Sequence, residues 1–225
     1  MTGGGRSGQE AVVFDLYDTV IVVDPALRRA HQEALARRLR MPAPAFLGHW
    51  NATSRASNLG RIGPTEDRFR EVMARAGISQ GNPAELAAME HEFLRAAAHP
   101  APGMLPLLAD LRARDVRLAL LSNCSVSVRF ALDGAGVTDA FDLVLLSCDA
   151  GRVKPDAEFF RLALAEVKAP PSASLYVADG VGGELEAAAA LGMRAIRAAW
   201  SNPEGTAPAG TPVARTAGEL AELLA

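Results

Sequence analysis

The stretch Ala11-Val12-Val13-Phe14-Asp15-Leu16-Tyr17-Asp18-Thr19-Val20 decides how this chain is read. Its first four residues form a short, continuous run of β-branched and aromatic side chains. A run of that kind, without polar alternation, suits a strand buried on both faces of a parallel sheet. Asp15 follows at the carboxyl end of that strand, the edge of an α/β sheet where ligands bind. A carboxylate there suits a nucleophile or a metal ligand. An aspartate in the same place also suits a turn cap, so the rest of the chain has to decide.

Beyond Val20 the pattern turns helical. Asp24-Pro25 reads as an N-cap with proline in the first turn, and Leu27, Ala30, Ala34 and Leu35 share one face. Met41-Pro42-Ala43-Pro44 breaks this helix, and a second runs from about Phe46 to Leu59. Thr65 opens a third, with Phe69, Val72, Met73 and Ala76 inward and Gly77 as its stop. Asn82-Pro83 opens a fourth. No segment between Asp24 and Ala98 has strand character. From His99 onward strands and helices alternate: strands at 116–121, 143–146, 174–178 and 194–199, with helices between them and a terminal helix at 217–224. The rhythm predicts an α/β fold, a doubly wound parallel sheet with an inserted all-helical unit. The expected core spans residues 10–22 and 99–225, and the insertion spans 23–98.

The 225 residues are 49% hydrophobic, ample for a core, and carry a formal net charge of −3. That charge offers nothing to nucleic acid or an anionic membrane. Two cysteines, Cys124 and Cys148, make no secreted disulfide framework. His31, His49, His91 and His99 are scattered, which argues against a zinc site. The Gly-rich residues 1–10 read as a frayed terminus without the apolar core of a signal peptide. No apolar stretch reaches membrane-spanning length. The expectation is a cytoplasmic protein, monomer or homodimer, acting on a small molecule.

Four polar clusters follow the strands: Asp15, Ser122-Asn123, Lys154-Pro155 and Asp179-Gly180. Parallel strands bring their carboxyl ends to one edge, so the four should meet. An acid, a hydroxyl, an amine and a second acid around one cleft form a set suited to phosphoryl transfer. In this order the clusters resemble the four motifs of the haloacid dehalogenase superfamily: Asp15 to Val20, Leu121-Ser122-Asn123, Gly151 to Asp156, and Val177 to Glu184. The likeness extends from Val12 to about Ala199. It implies a Rossmann-like core with the helical unit as a cap closing over the site. It implies Asp15 as nucleophile, Ser122 and the Asn123 backbone N–H on the transferring group, and Lys154 as charge neutraliser. It also implies a Mg²⁺ ion held by Asp15, the Tyr17 carbonyl and Asp179.

Two positions depart from the family's phosphatases. Tyr17 stands where they carry a second aspartate, the proton donor to the leaving group. Asp18, one residue on, would point the opposite way on an extended segment. Glu184 stands where an aspartate is usual, and suits either a role at the metal or the start of the helix that follows. Tyr17 resembles the 2-haloacid dehalogenases. Those enzymes work without metal, lack an acidic pair like Asp179 and Glu184, and carry a tyrosine where Phe160 stands. The expected activity is therefore Mg²⁺-dependent hydrolysis of a phosphate monoester. The alternatives are a 2-haloacid dehalogenase acting on a halogenated acid, or a binding protein of weak activity. The helical insertion contains no lysine, which argues against Schiff-base chemistry on C–P bonds. Arg55, Asn58 and Arg61 are its candidate substrate contacts.

Overall fold

The computed structural model describes residues 10–225. Of the terminal stretch expected to fray, residues 1–9 lie outside these. Glu10 does not fray: its N–H donates to the Ala173 carbonyl at 2.9 Å and its carbonyl accepts from Arg117 N at 3.0 Å.

Six strands form the central sheet: β1 (Ala11–Phe14), β4 (Arg117–Ser122), β5 (Leu143–Leu146), β6 (Ser174–Ala178), β7 (Arg194–Ala198) and β8 (Val213–Ala214). Their order is β5-β4-β1-β6-β7-β8, parallel throughout. The first strand in the sequence thus lies at the centre. Side chains alternate between two apolar layers, as the pleat requires. Val12, Phe14, Leu118, Leu120, Leu175 and Val177 enter one layer, together with α5 (Met104–Ala113), α6 (Val128–Ala135) and α10 (Ala217–Leu223). Val13, Ala119, Leu121 and Tyr176 enter the other, against α8 (Ala157–Glu166) and α9 (Glu184–Ala190).

The helical insertion comprises α1 (Pro25–Arg38), α2 (Ala43–Asn58), α3 (Thr65–Arg75) and α4 (Pro83–Ala97). The expected caps form. Asp24 accepts from Ala26 N at 2.7 Å, and Asn82 from Ala84 N and Glu85 N. The insertion has its own apolar centre, in which Leu35, Phe46, Phe69, Val72 and Leu86 are buried. It also leans on the core through α4 and α6. Gly134 lies so close to α4 that a Cβ there would stand 2.0 Å from the Arg95 carbonyl oxygen. Only glycine permits that approach.

Three features escape periodicity. The segments joining insertion to core pair as an antiparallel ribbon, β2 (Ile21–Val22) with β3 (His99–Pro100). The edge strand β8 follows β7, and a single helical turn, α7 (Ser147–Ala150), follows β5. Elements of two to four residues are too short to carry a hydrophobic period.

Candidate active site

The carboxyl ends of β1, β4 and β6 and the segment after β5 deliver polar groups to the same edge. Asp15 follows β1 and stays locked in the ladder, its N–H donating to the Val177 carbonyl at 2.9 Å. Ser122 ends β4, Lys154 follows β5 and α7, and Asp179 follows β6. Glu184 opens α9. These residues line one cavity of about 250 Å³ with Tyr17, Asp18, Asn123, Val181 and Gly182. All seven residues expected from sequence therefore meet.

Lys154 is the hub. Its ammonium group donates to Asp15 Oδ1, pairs with Glu184 Oε2 at 2.6 Å and donates to the Tyr176 hydroxyl at 2.9 Å. That hydroxyl donates onward to Glu184 Oε2 at 2.7 Å. Burial alone would lower the lysine's pKa. The flanking carboxylates Asp15 and Glu184 reverse this and hold it above its ordinary value. Burial pushes Glu184 up to about 7 against the pull of Lys154. Tyr176 went unrecognised in the sequence, although a phenol in the middle of a buried strand must find a partner.

Asp179 is held from behind. The Asn202 carboxamide donates to its Oδ2 at 3.0 Å, and Val181 N donates to its Oδ1 at 3.2 Å. The loop carrying Asn202 packs on Gly180, where φ is +89° and a Cβ would lie 2.2 Å from the Thr206 carbonyl oxygen. Asn202 sits in a stretch that reads only as loop, so nothing marked it.

Asp15, Asp179 and Glu184 bring one carboxylate oxygen each to within 4.8 Å of one another. Three buried carboxylates face one lysine, an excess of negative charge that a divalent cation would balance. Hard oxygen donors are what Mg²⁺ takes, so the set fits such an ion. Ser122 Oγ is buried without a hydrogen-bond partner among the described residues, which suits a donor to a ligand oxygen. Glu184 bonds Lys154 and Tyr176, so its carboxylate serves the cleft and does not merely start a helix.

The expectation for Asp18 changes. Its φ is +58°, a left-handed turn that ends the extended segment, and the residue lines the same cavity as Asp15. Burial raises its pKa, with Asp179 and Asp15 adding and Arg28 opposing. Tyr17 lines both this cavity and a second one beneath the helical insertion. Burial pushes its phenol further above its ordinary value. Of the expected substrate contacts on the insertion, Asn58 lines the second cavity, whereas Arg55 and Arg61 are exposed and line neither.

The family model for haloacid dehalogenase-like hydrolases matches residues 9–192. The chain belongs to that family. A phosphoserine phosphatase from Thermus thermophilus is 33% identical to this hydrolase over 174 residues, 76% of the chain and 65% of the phosphatase. The chain thus spans about two thirds of that relative's length. Among solved structures, a 2-haloacid dehalogenase from Pseudomonas syringae superposes with a TM-score of 0.70 at 24% identity, covering 96% of this chain and 97% of its own. A phosphatase from Thermococcus onnurineus gives 0.68 at 20% identity, with 96% and 97% covered. Both share the fold, and one fold hosts both chemistries.

Among the described residues no helix is long and apolar enough to cross a membrane.

Proposed function

We propose that this hydrolase is a Mg²⁺-dependent phosphomonoesterase working through an aspartyl phosphate on Asp15. The observation carrying this reading is the buried carboxylate trio Asp15, Asp179 and Glu184 around a single lysine. In the first half-reaction an Asp15 oxygen attacks phosphorus. The new O–P bond forms as the bond to the leaving alcohol breaks, and the electron pair departs with the alcohol oxygen. In the second, water attacks phosphorus, restoring the Asp15 carboxylate and releasing inorganic phosphate. Lys154 keeps Asp15 oriented and offsets charge on the phosphoryl oxygens. Ser122 Oγ and the Asn123 backbone N–H hold those oxygens. Asp15, the Tyr17 carbonyl, Asp179 and Glu184 would hold Mg²⁺. When bound, the ion supplies the positive charge that lets one anion approach another.

The helical unit 23–98 is proposed as a cap that closes over the cavity, hinged at the ribbon of Ile21–Val22 with His99–Pro100. A second reading, a 2-haloacid dehalogenase, is favoured by Tyr17 in place of an acid. Two assays separate them. The first reading predicts that 4-nitrophenyl phosphate is hydrolysed with Mg²⁺, and that chelator stops it reversibly. Release of halide from 2-chloropropionate in chelator, with no phosphate ester cleaved, would favour the second.

A further inference from the structure

Five charged residues are buried among the described residues: Asp15, Lys154, Asp179, Glu184 and Arg68. Four form the cluster just described. Arg68 stands apart, on α3 of the helical insertion, at 7% exposure. Among the described residues its guanidinium has no carboxylate in ion-pair contact. Nε donates to Thr53 Oγ1 at 3.0 Å, and Nη2 to the Trp50 carbonyl at 3.2 Å and Ser54 Oγ at 3.0 Å. Its Cζ lies over the Trp50 ring, 3.6 Å from the centroid. The other edge, Nη1, reaches across to the core and makes only a 3.4 Å contact with Ser125 Oγ.

A buried cation held by neutral acceptors is costly unless something anionic joins it. The nearby acid is Glu90, already bonded to His31 Nε2 at 2.7 Å. Burial lowers the Arg68 pKa to about 10, so it stays charged at neutral pH. The cavity it lines holds about 220 Å³, small for a ligand pocket, and Tyr17 and Asn123 line it together with the catalytic cavity. The two cavities thus meet at Tyr17 and Asn123, with Asp15 lining one and Arg68 the other. The charged side chains around this cavity are Arg28, Arg68 and Glu90, with His31 on Glu90. Two arginines against one glutamate leave an excess of positive charge, which an anion would balance.

We infer that Arg68 binds a carboxylate on the leaving-group side of the substrate, so that the substrate is a small phosphorylated acid. The inference rests on the phosphomonoesterase reading. The Nη1 edge, held otherwise by its long contact with Ser125 Oγ, would donate to the carboxylate, and Ser125 and Ser127, whose hydroxyls lie 3.0 Å apart, complete the seat. Charge-assisted hydrogen bonds of this kind discriminate by roughly ten- to a hundredfold.

The test compares kcat/KM for ester pairs matched but for a carboxylate: 2-phosphoglycolate with ethyl phosphate, and 3-phosphoglycerate with glycerol 3-phosphate. The wild-type protein should prefer the acid of at least one pair by about tenfold or more. Arg68→Gln should erase the preference, and Arg68→Lys, which keeps the charge, should retain part of it. No preference in the wild type, or full preference in folded Arg68→Gln, overturns the inference. If 4-nitrophenyl phosphate is not cleaved at all, the phosphatase reading fails, and Trp50 fluorescence decides the Arg68 site alone. In a Trp200→Phe background, a saturable response to 2-phosphoglycolate absent with ethyl phosphate supports the carboxylate seat. No response, or the same response in Arg68→Gln, overturns it.

Discussion

Asn123 grips the backbone of Lys154 from both sides of its carboxamide. Its Nδ2 donates to the Lys154 carbonyl at 2.9 Å, and its Oδ1 accepts from Lys154 N at 2.7 Å. The two residues are 31 apart in sequence, one just beyond β4 and the other beyond β5. One side chain therefore fixes where the buried ammonium group emerges relative to Asp15.

Asn123→Ala removes both bonds and leaves the Lys154 backbone N–H and carbonyl without partners. Stability should fall by about 2 kcal/mol, read as a lower urea midpoint with an unchanged m-value. Turnover of 4-nitrophenyl phosphate should fall more than its KM rises, because Lys154 loses its register on Asp15. A KM effect alone would show that Asn123 acts on substrate binding.

Metal affinity should follow the carboxylate trio. Asp179→Asn keeps the shape and removes one charge, and Mg²⁺ affinity by calorimetry should drop by at least about tenfold. Asn202→Ala, which removes the bond orienting Asp179, should give a smaller loss in the same direction. Undiminished Mg²⁺ binding in Asp179→Asn would place the ion elsewhere.

Asp18, turned into the cavity by its left-handed backbone, should take the proton-donor role that Tyr17 cannot fill. General acid catalysis contributes about two to four orders of magnitude, and nitrophenolate leaves without a proton. Asp18→Asn should therefore slow an alkyl phosphate far more than 4-nitrophenyl phosphate. Equal slowing of both would remove Asp18 from proton transfer, and efficient alkyl cleavage by Tyr17→Asp, Asp18→Asn would assign the role to position 17.

The seam between α4 and α6 should be acid-sensitive. His91 stacks on Phe130 with ring centroids 3.7 Å apart, and its Nε2 lies 2.7 Å from Thr65 Oγ1. Burial lowers its pKa, with Arg95 adding and Glu90 opposing. The unfolded chain then binds more protons than the folded one just below the unfolded pKa of about 6.5. The stability contribution is full above that pH and is lost as the pH falls through the lowered folded value. Thermal unfolding from pH 8 to 5.5 should show an extra fall below about pH 6.5 that is absent in His91→Gln. Identical profiles would contradict it.

The sheet was legible because runs such as Ala11–Phe14 and Leu143–Leu146 are continuous and apolar, and part of the site because Asp15, Ser122 and Asp179 stand at strand ends. Lys154 and Asp179 were marked by the resemblance of their motifs, while Glu184 was left open between the metal and the start of a helix. Tyr176 was hidden by its own strand, where it reads as one more large side chain between Leu175 and Val177 although its hydroxyl serves Lys154 and Glu184. Arg68 had a readable signal: it lies one residue before Phe69 and four before Val72, on the apolar stripe of α3, where a solvated arginine would not sit. Arg55 and Arg61 misled because position along the insertion says nothing about which face of a helix looks into the cavity. Asp18 was misplaced because a left-handed turn at an aspartate is not encoded in spacing.

The most direct test of the account is the chemical state of Asp15 during turnover. Protein cleaving 4-nitrophenyl phosphate in Mg²⁺ is quenched rapidly in acid, and its peptides are mapped by mass. The account predicts a phosphoryl group on the peptide containing Asp15, absent in Asp15→Asn, with turnover lost in the same variant. Steady turnover by clean Asp15→Asn protein, or a phosphoryl group carried on any other residue, would contradict it.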